Sequence, residues 1–263
     1  MLPNRNGTIL FFLYLFFALL PVQKLLAQQQ KNLNIVFIGN SITRGSGLAN
    51  RDTEAAPVHA VAYLQNQKKI GNVRFSNQGV GGYTTINFLP ATSKGFLNVA
   101  KAADVYNADA QATLVFSIML GTNDSAMEGP TGAPVSPDQY RNNLKAMADK
   151  LLADYPNSLL VLHRPLWYSP TTQNNGAKYL QEGLDRLQSY FPELDALVAS
   201  YATTHPDRVF KGDNKAYKFF RKKHLTYFQH EQGKQGMFYL HPNKEGAAKL
   251  GIFWGKGIKK AVL

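Results

Sequence analysis

Three side chains and one glycine-rich run stand where nucleophilic chemistry would need them. Ser41 follows a short apolar run, residues 35–38 with Leu33 before it, that stops at Gly39-Asn40-Ser41. A strand ending in glycine and then serine can turn sharply and leave the hydroxyl at its C-terminal edge, where open α/β sheets bind ligands. A serine hydroxyl is a weak nucleophile alone; it needs a base to take its proton and donors to hold the oxyanion it creates. Asn123 lies in Gly121-Thr122-Asn123-Asp124, directly after the clearest strand pattern of the chain, residues 113–120. Its amide can point an N–H at developing negative charge, and Asp124 is placed to cap the next segment or to fix Asn123. His241, in His241-Pro242-Asn243, opens the last helical pattern and is the only one of six histidines in a fitting context. Gly79, Gly81 and Gly82 allow a tight bend that brings backbone N–H groups close to a ligand. Each feature also has a plain structural use: a capped strand-to-helix turn, a glycine-rich loop, an Asx turn, a capping histidine.

The elements that must position these groups read as alternating strands and helices. Strands are expected at 35–38, 72–77, 113–120, 158–163 and, shorter, 208–210. Helices are expected at 54–69, 96–105, 137–155, 179–201 with an interruption at Pro192, and from 244 to the C-terminus, where Ala247, Leu250, Trp254, Ile258 and Ala261 form a buried stripe. The 113–120 strand is apolar on both faces, as a central parallel strand should be. The loops 125–137 and 164–176 follow strand ends and would wall a site. Trp167 and Tyr168 on the second loop could stack on a sugar ring, cover an acyl chain, or simply pack. Residues 225–239 read as a polar-aromatic connector. His59 reads as a packed or surface histidine.

Composition narrows the classes. The chain has 263 residues, 44% of them hydrophobic, and no cysteine, so neither a disulfide nor a thiol nucleophile is open to it. Arg5, the apolar run 9–22 and Leu25-Leu26-Ala27 have the layout of a cleaved signal at 1–27, leaving a single domain over 28–263. Export to a bacterial periplasm or beyond is therefore expected, without stable membrane insertion once the signal is removed; an uncleaved anchor is the competing reading. The formal charge is +12, or +10 once Arg5 and Lys24 leave with residues 1–27. That balance reads first as a merely soluble basic surface; as surroundings it favours acidic glycans or anionic lipid surfaces, with nucleic acid the least expected partner after export. The basic stretch 211–223 reads mainly as a solvated helix face. No cofactor is expected: GxGxxG would need glycine at Thr84, GK[ST] is absent, and the histidines lack metal-ligand spacing such as HExxH.

Taken in order, the blocks Gly39-Asn40-Ser41-Ile42-Thr43, Asn77 to Thr84, Gly121 to Asp124 and His241 resemble those of the SGNH (GDSL-type) hydrolases, with Asn40 in the position of the usual Asp. The resemblance spans nearly the whole chain after residue 35 and extends to bacterial secreted carbohydrate O-acetylesterases. It implies an α/β fold, a three-layer α/β/α sandwich on a parallel sheet of about five strands. It also implies acyl transfer to Ser41, with His241 as base and then acid, and with the Ser41 and Gly82 N–H groups and the Asn123 amide holding the oxyanion. Small-molecule or glycan esters are the implied substrates, O-acetyl groups first and lipid or thioester acyl groups second. One element departs from the family's D-x-x-H block: Phe238 occupies the acid's position. A Ser41–His241 dyad oriented by a backbone carbonyl, an acid supplied by Asp213 or Glu231, or a weakened, glycan-binding relative would each fit.

Overall fold

The computed structural model describes residues 30–91 and 93–263; the signal segment expected at 1–27 lies outside them. Five parallel strands form one sheet in the order β2-β1-β3-β4-β5: β1 Lys31–Gly39, β2 Ile70–Gly79, β3 Ala112–Met119, β4 Leu159–Leu162 and β5 Val209–Lys211. β1 and β3 are buried over nearly their whole length, which is why they read as continuous apolar runs. The chain leaves β1 toward β2 on one side and returns to β3 on the other. The topological switch therefore falls between β1 and β3, where open sheets of this kind bind ligands.

Helices α3 (Ala56–Gln65) and α9 (Lys244–Val262) cover one face, and α4 (Lys94–Asn107), α5 (Pro137–Asp154) and α6 (Leu180–Thr204) the other. The result is the three-layer sandwich expected. The stripe on α9 is buried at Ala247, Leu250, Trp254 and Ile258. Trp254 stacks on Phe37 of β1 at 6.0 Å between ring centroids and tilts against His163 at 5.6 Å. Among the described residues no helix is long and apolar enough to cross a membrane.

The differences from expectation are local. The helix expected at 54–69 divides into α2 (Arg51–Glu54) and α3, with Ala55 extended between them. Pro57 lacks an N–H, so it suits the first turn of a new helix and not the interior of a continuing one. Pro192, by contrast, does not interrupt α6. It and Gln188, whose carbonyl loses its donor, are both exposed, so water can satisfy that group. The basic stretch 211–223 holds the short helix α7 (Ala216–Lys222), with Phe220 buried; a hairpin of β6 (Glu231–Gly233) and β7 (Gly236–Phe238) and the single turn α8 (His224–Tyr227) before it were not expected.

Truncating Trp254 removes the largest wholly buried side chain at the seam of α9 and the sheet. Trp254→Ala should lower stability by about 3–5 kcal/mol, read as a shift in urea midpoint at unchanged slope.

Candidate functional site

β1 ends at Gly39, opposite Met119 of β3. A side chain at 39 would collide with the Thr43 hydroxyl and come 2.8 Å from the Met119 carbonyl, so the close pairing of the two strand ends requires glycine. Asn40 is extended, and its side-chain oxygen accepts from the Ile42 N–H at 3.0 Å, capping the single turn α1 (Ser41–Arg44). The cap is thus Asn40, and Ser41 is the first residue of the turn. On the other side of the sheet edge, Asn243 caps α9 by accepting from the Gly246 N–H, and the chain before it carries His241 to the serine. Ser41 Oγ lies 2.9 Å from His241 Nε2 across 200 residues of sequence.

His241 Nδ1 lies 2.8 Å from Glu231 Oε1, and Glu231 Oε2 accepts the backbone N–H groups of His241 at 3.0 Å and Leu240 at 3.3 Å. A carboxylate facing three donors can only accept. Nδ1 therefore carries the ring proton, and Nε2 offers its lone pair to the Ser41 hydroxyl. The residue missing at 238 is explained by the hairpin: Glu231 of β6 is the direct cross-strand partner of Phe238 of β7. Residues paired in this way hold their Cβ atoms within about 4.5–5.5 Å. The carboxylate thus comes from the neighbouring strand, while Phe238 is buried in the core. Of the two candidate acids, Asp213 is not in this group. Its carboxylate accepts from the N–H groups of Lys215 and Ala216 at the start of α7, and its own N–H donates to His163. No backbone carbonyl is needed to orient the His241 ring.

Gly82 and Asn123 line the same cleft as Ser41 and His241. Gly82 has φ +76 with open space where a Cβ would be, so the backbone conformation alone calls for glycine there. Among the described residues, neither the Ser41 nor the Gly82 N–H donates to a protein acceptor. Asn123 is held from both ends: its amide donates to the Tyr83 carbonyl at 2.8 Å, and its oxygen accepts from the Tyr179 hydroxyl at 2.7 Å. Burial, with Glu231 and Asp124 adding to it, pushes the Tyr179 phenol up, so it stays protonated and donates. That fixes which end of the Asn123 amide carries nitrogen and leaves its second N–H unclaimed. Asp124 does not contact Asn123's side chain. It accepts from both the N–H and the hydroxyl of Thr85, whose hydroxyl also accepts from Asn143 of α5. The loop that carries Gly82 is thereby pinned to the end of β3.

Gln229 is a further residue of the site. Its amide donates to the carbonyls of Ser46 and Pro242, both at 3.1 Å, and its N–H donates to the His241 carbonyl. It clasps the serine loop to the histidine loop. Nothing in the local sequence announces it, because both partners are distant. The glycines flanking Lys234-Gln235 were a legible hairpin signal that would have drawn attention to Glu231. Trp167 and Tyr168 are packing residues: Trp167 is buried against His224 and Phe228, and Tyr168 exchanges a hydrogen bond with Ser125. His59 is packed at the α3–α9 contact, where it lies against Gly251.

The cleft holds about 500 Å³ and is walled by Gly129, Pro130 and Thr131 on one loop and by Asn174, Gly176 and Ala177 on the other. A hydroxyl activated by an imidazole, facing unclaimed N–H donors at the mouth of such a cleft, can attack an acyl carbon and hold the resulting oxyanion.

Residues 37–249 match the GDSL-like lipase/acylhydrolase family. The chain belongs to that family. It is a family of carboxylic ester hydrolases, and the SGNH fold it implies is the one seen here. No curated protein matches the chain. Among solved structures, a carbohydrate acetylesterase from Sinorhizobium meliloti superposes with a TM-score of 0.58 at 15% identity, covering 87% of this chain and 99% of that one. An acetylxylan esterase from Geobacillus stearothermophilus gives 0.56 at 16% identity over 89% and 95% of the two chains. The aryl esterase of M. smegmatis gives 0.57 at 14% identity over 88% and 100%. At these identities the likeness establishes the fold.

Burial pushes the Asp124 carboxyl up to about 6 despite its Thr85 hydrogen bonds, and its second oxygen is buried without a partner. The folded state thus holds this proton more tightly than the unfolded chain, whose carboxyl keeps the ordinary 3.8. Asp124's contribution is full below pH 3.8 and is lost as pH rises through about 6. Asp124→Asn keeps an acceptor for Thr85 but cannot ionise. Its stability relative to the parent should rise by about 3 kcal/mol between pH 4 and 7, measured by denaturant titration at each pH. Parallel pH curves for the two proteins would remove this account of Asp124.

Proposed function

We propose that the protein is a serine esterase that removes O-acetyl groups from carbohydrate through an acyl-Ser41 intermediate. The observation that carries this reading is the continuous chain of contacts from Ser41 through His241 to Glu231, opening into a polar cleft. His241 takes the Ser41 proton as the hydroxyl attacks the ester carbonyl. The Ser41 and Gly82 N–H groups and the free N–H of Asn123 hold the tetrahedral oxyanion. His241 then gives its proton to the leaving sugar hydroxyl. Water, deprotonated by the same imidazole, attacks the acyl-enzyme and releases acetate. Glu231 holds the imidazole in the tautomer that accepts from serine and steadies the imidazolium that forms.

A short acyl group fits the lining. Ser46, Thr131 and Asn174 are polar, while aliphatic surface is limited to Pro130, Ala177 and Leu240. A lipid or long thioester chain would call for a longer apolar groove than these residues provide. The solved relatives described as carbohydrate and acetylxylan esterases support the same substrate class. The glycan-binding alternative rested on the missing acid at 238, and Glu231 against His241 takes away that support. The apolar segment at 1–27 and the cysteine-free composition support export as the setting.

Acetate release from an activated acetyl ester and from acetylated oligosaccharides tests the reading. Ser41→Ala should lower kcat by at least about 10⁴-fold, and Glu231→Gln by about 10²–10⁴-fold, because a glutamine amide would face the Leu240 and His241 N–H groups with its own donors. Asp213→Asn, in the helix cap, should leave kcat within about twofold. Turnover untouched by Ser41→Ala would sink the proposal.

An acyl-length series from acetate to octanoate separates the acetylesterase from a lipid hydrolase: kcat/KM should fall steeply beyond acetate.

A further inference from the structure

The residues lining the cleft include no Lys, Arg, Asp or Glu. Charge is met in a second groove, of about 580 Å³, lined by Arg44, Arg51, Asp52, Ser76, Asn77 and Gly79. The two are joined by Arg44. It lies one helical turn after Ser41, a spacing that puts Cβ atoms about 5–6 Å apart. Its guanidinium Nη1 stands 3.5 Å from where a Cβ of Gly81 would be, and Gly81 lines the cleft beside Gly82.

Arginines elsewhere in the fold are committed. Arg74, Arg141 and Arg164 hold ion pairs, and Arg186 and Arg208 donate to backbone carbonyls. Among the described residues only Arg44, Arg51 and Arg221 have guanidiniums with neither an ion pair nor a hydrogen bond, and two of those three share this groove. Its other polar side chains give little competition for an anion. Asn77 is spent on the Thr43 carbonyl and the Gly79 N–H, and the Ser76 hydroxyl accepts from Gln78. Asp52 is the one carboxylate in the lining, which leaves the groove at a net charge of +1.

We propose that this groove is a subsite for the carboxylate of a hexuronic acid unit, held by Arg44 and Arg51 while the neighbouring sugar presents its acetyl group to Ser41. The substrate class is thereby narrowed to acetylated acidic glycan. The inference rests on the carbohydrate esterase reading for the placement of the ester, but the binding itself does not require turnover. A guanidinium presents a planar pair of donors that matches a carboxylate, and two of them flanking one groove give a preference that salt weakens.

Calorimetry with Ser41→Ala and unacetylated oligogalacturonate tests it, with a neutral xylo-oligosaccharide of equal length as the comparison. Oligogalacturonate should bind at least about tenfold more tightly at low salt, and the preference should shrink as sodium chloride rises from about 20 to 500 mM. In the Arg44→Gln/Arg51→Gln background the preference should fall to within about twofold, while Lys94→Gln/Lys101→Gln, a charge-matched double change on exposed positions of α4, should keep it. The same oligogalacturonate should inhibit hydrolysis of the activated acetyl ester competitively in the active enzyme, with an inhibition constant raised about tenfold by the double change. Equal binding of the two oligosaccharides, or a preference that survives the double change, overturns the proposal. Specific oligogalacturonate binding without any ester turnover overturns the esterase reading and supports the subsite. Turnover of acetyl esters without uronate preference does the reverse.

Discussion

The closeness of β1 and β3 at their C-terminal ends governs the site. Those strands stay in register down to Gly39 and Met119, where no side chain fits at 39. That contact sets Ser41 and Asn123 on adjacent strand ends, at the switch point of the sheet. The buried apolar faces of both strands make this edge rigid, so the turns that carry Ser41 and Asn123 start from a fixed base, and Tyr83 and Tyr179 then set the Asn123 amide. The other parts of the site are brought to this fixed edge. α9 delivers His241 by packing Trp254 onto Phe37, and Asp124 fastens the Gly82 loop through Thr85.

The polar groups of the site are arranged so that each has one sense. Tyr179 can only donate to the Asn123 oxygen, and Glu231 can only accept from His241. Asp124 carries the strain of this arrangement, with one oxygen satisfied by Thr85 and the other buried without a partner. Burying such a group is costly, and its use at the joint between two loops is consistent with a site that gives up some stability to hold its geometry.

Much of this was legible in the chain. A buried parallel strand is apolar on both faces, so β1 and β3 could be read directly, and with them the sheet edge that holds Ser41 and Asn123. The helix after Asn243 was readable from its stripe, and it led to His241. The acid was harder. Its position is a matter of pairing between strands of three residues each, and three residues carry almost no periodicity. Only the glycines around Lys234-Gln235 mark the turn. Gln229 left no trace for the same reason: its partners lie 183 and 13 residues away. Pro192 misled because local propensity ignores whether a lost hydrogen bond can be replaced by water. Trp167 and Tyr168 could not be assigned from residue type, since a buried aromatic and a sugar-stacking one look alike in sequence.

The hairpin that supplies Glu231 is sewn to the loop that forms one wall of the cleft. The Lys234 N–H donates to the Gln173 carbonyl, Thr171 donates to the Met237 carbonyl, and Ser169 and Tyr239 exchange bonds. Recognition surface and catalytic carboxylate therefore belong to one mechanical unit. Where the acid rides on the turn before the last helix, a family can lengthen or replace its wall loops and leave the proton relay alone. In this chain that freedom is curtailed: a graft at 170–178 would also shift the residue that orients His241. The opposite bank, residues 129–131, has ties of its own: a side chain at Gly129 would collide with the Gly176 carbonyl, and the Thr131 carbonyl accepts from Thr84 on the loop that carries Gly82.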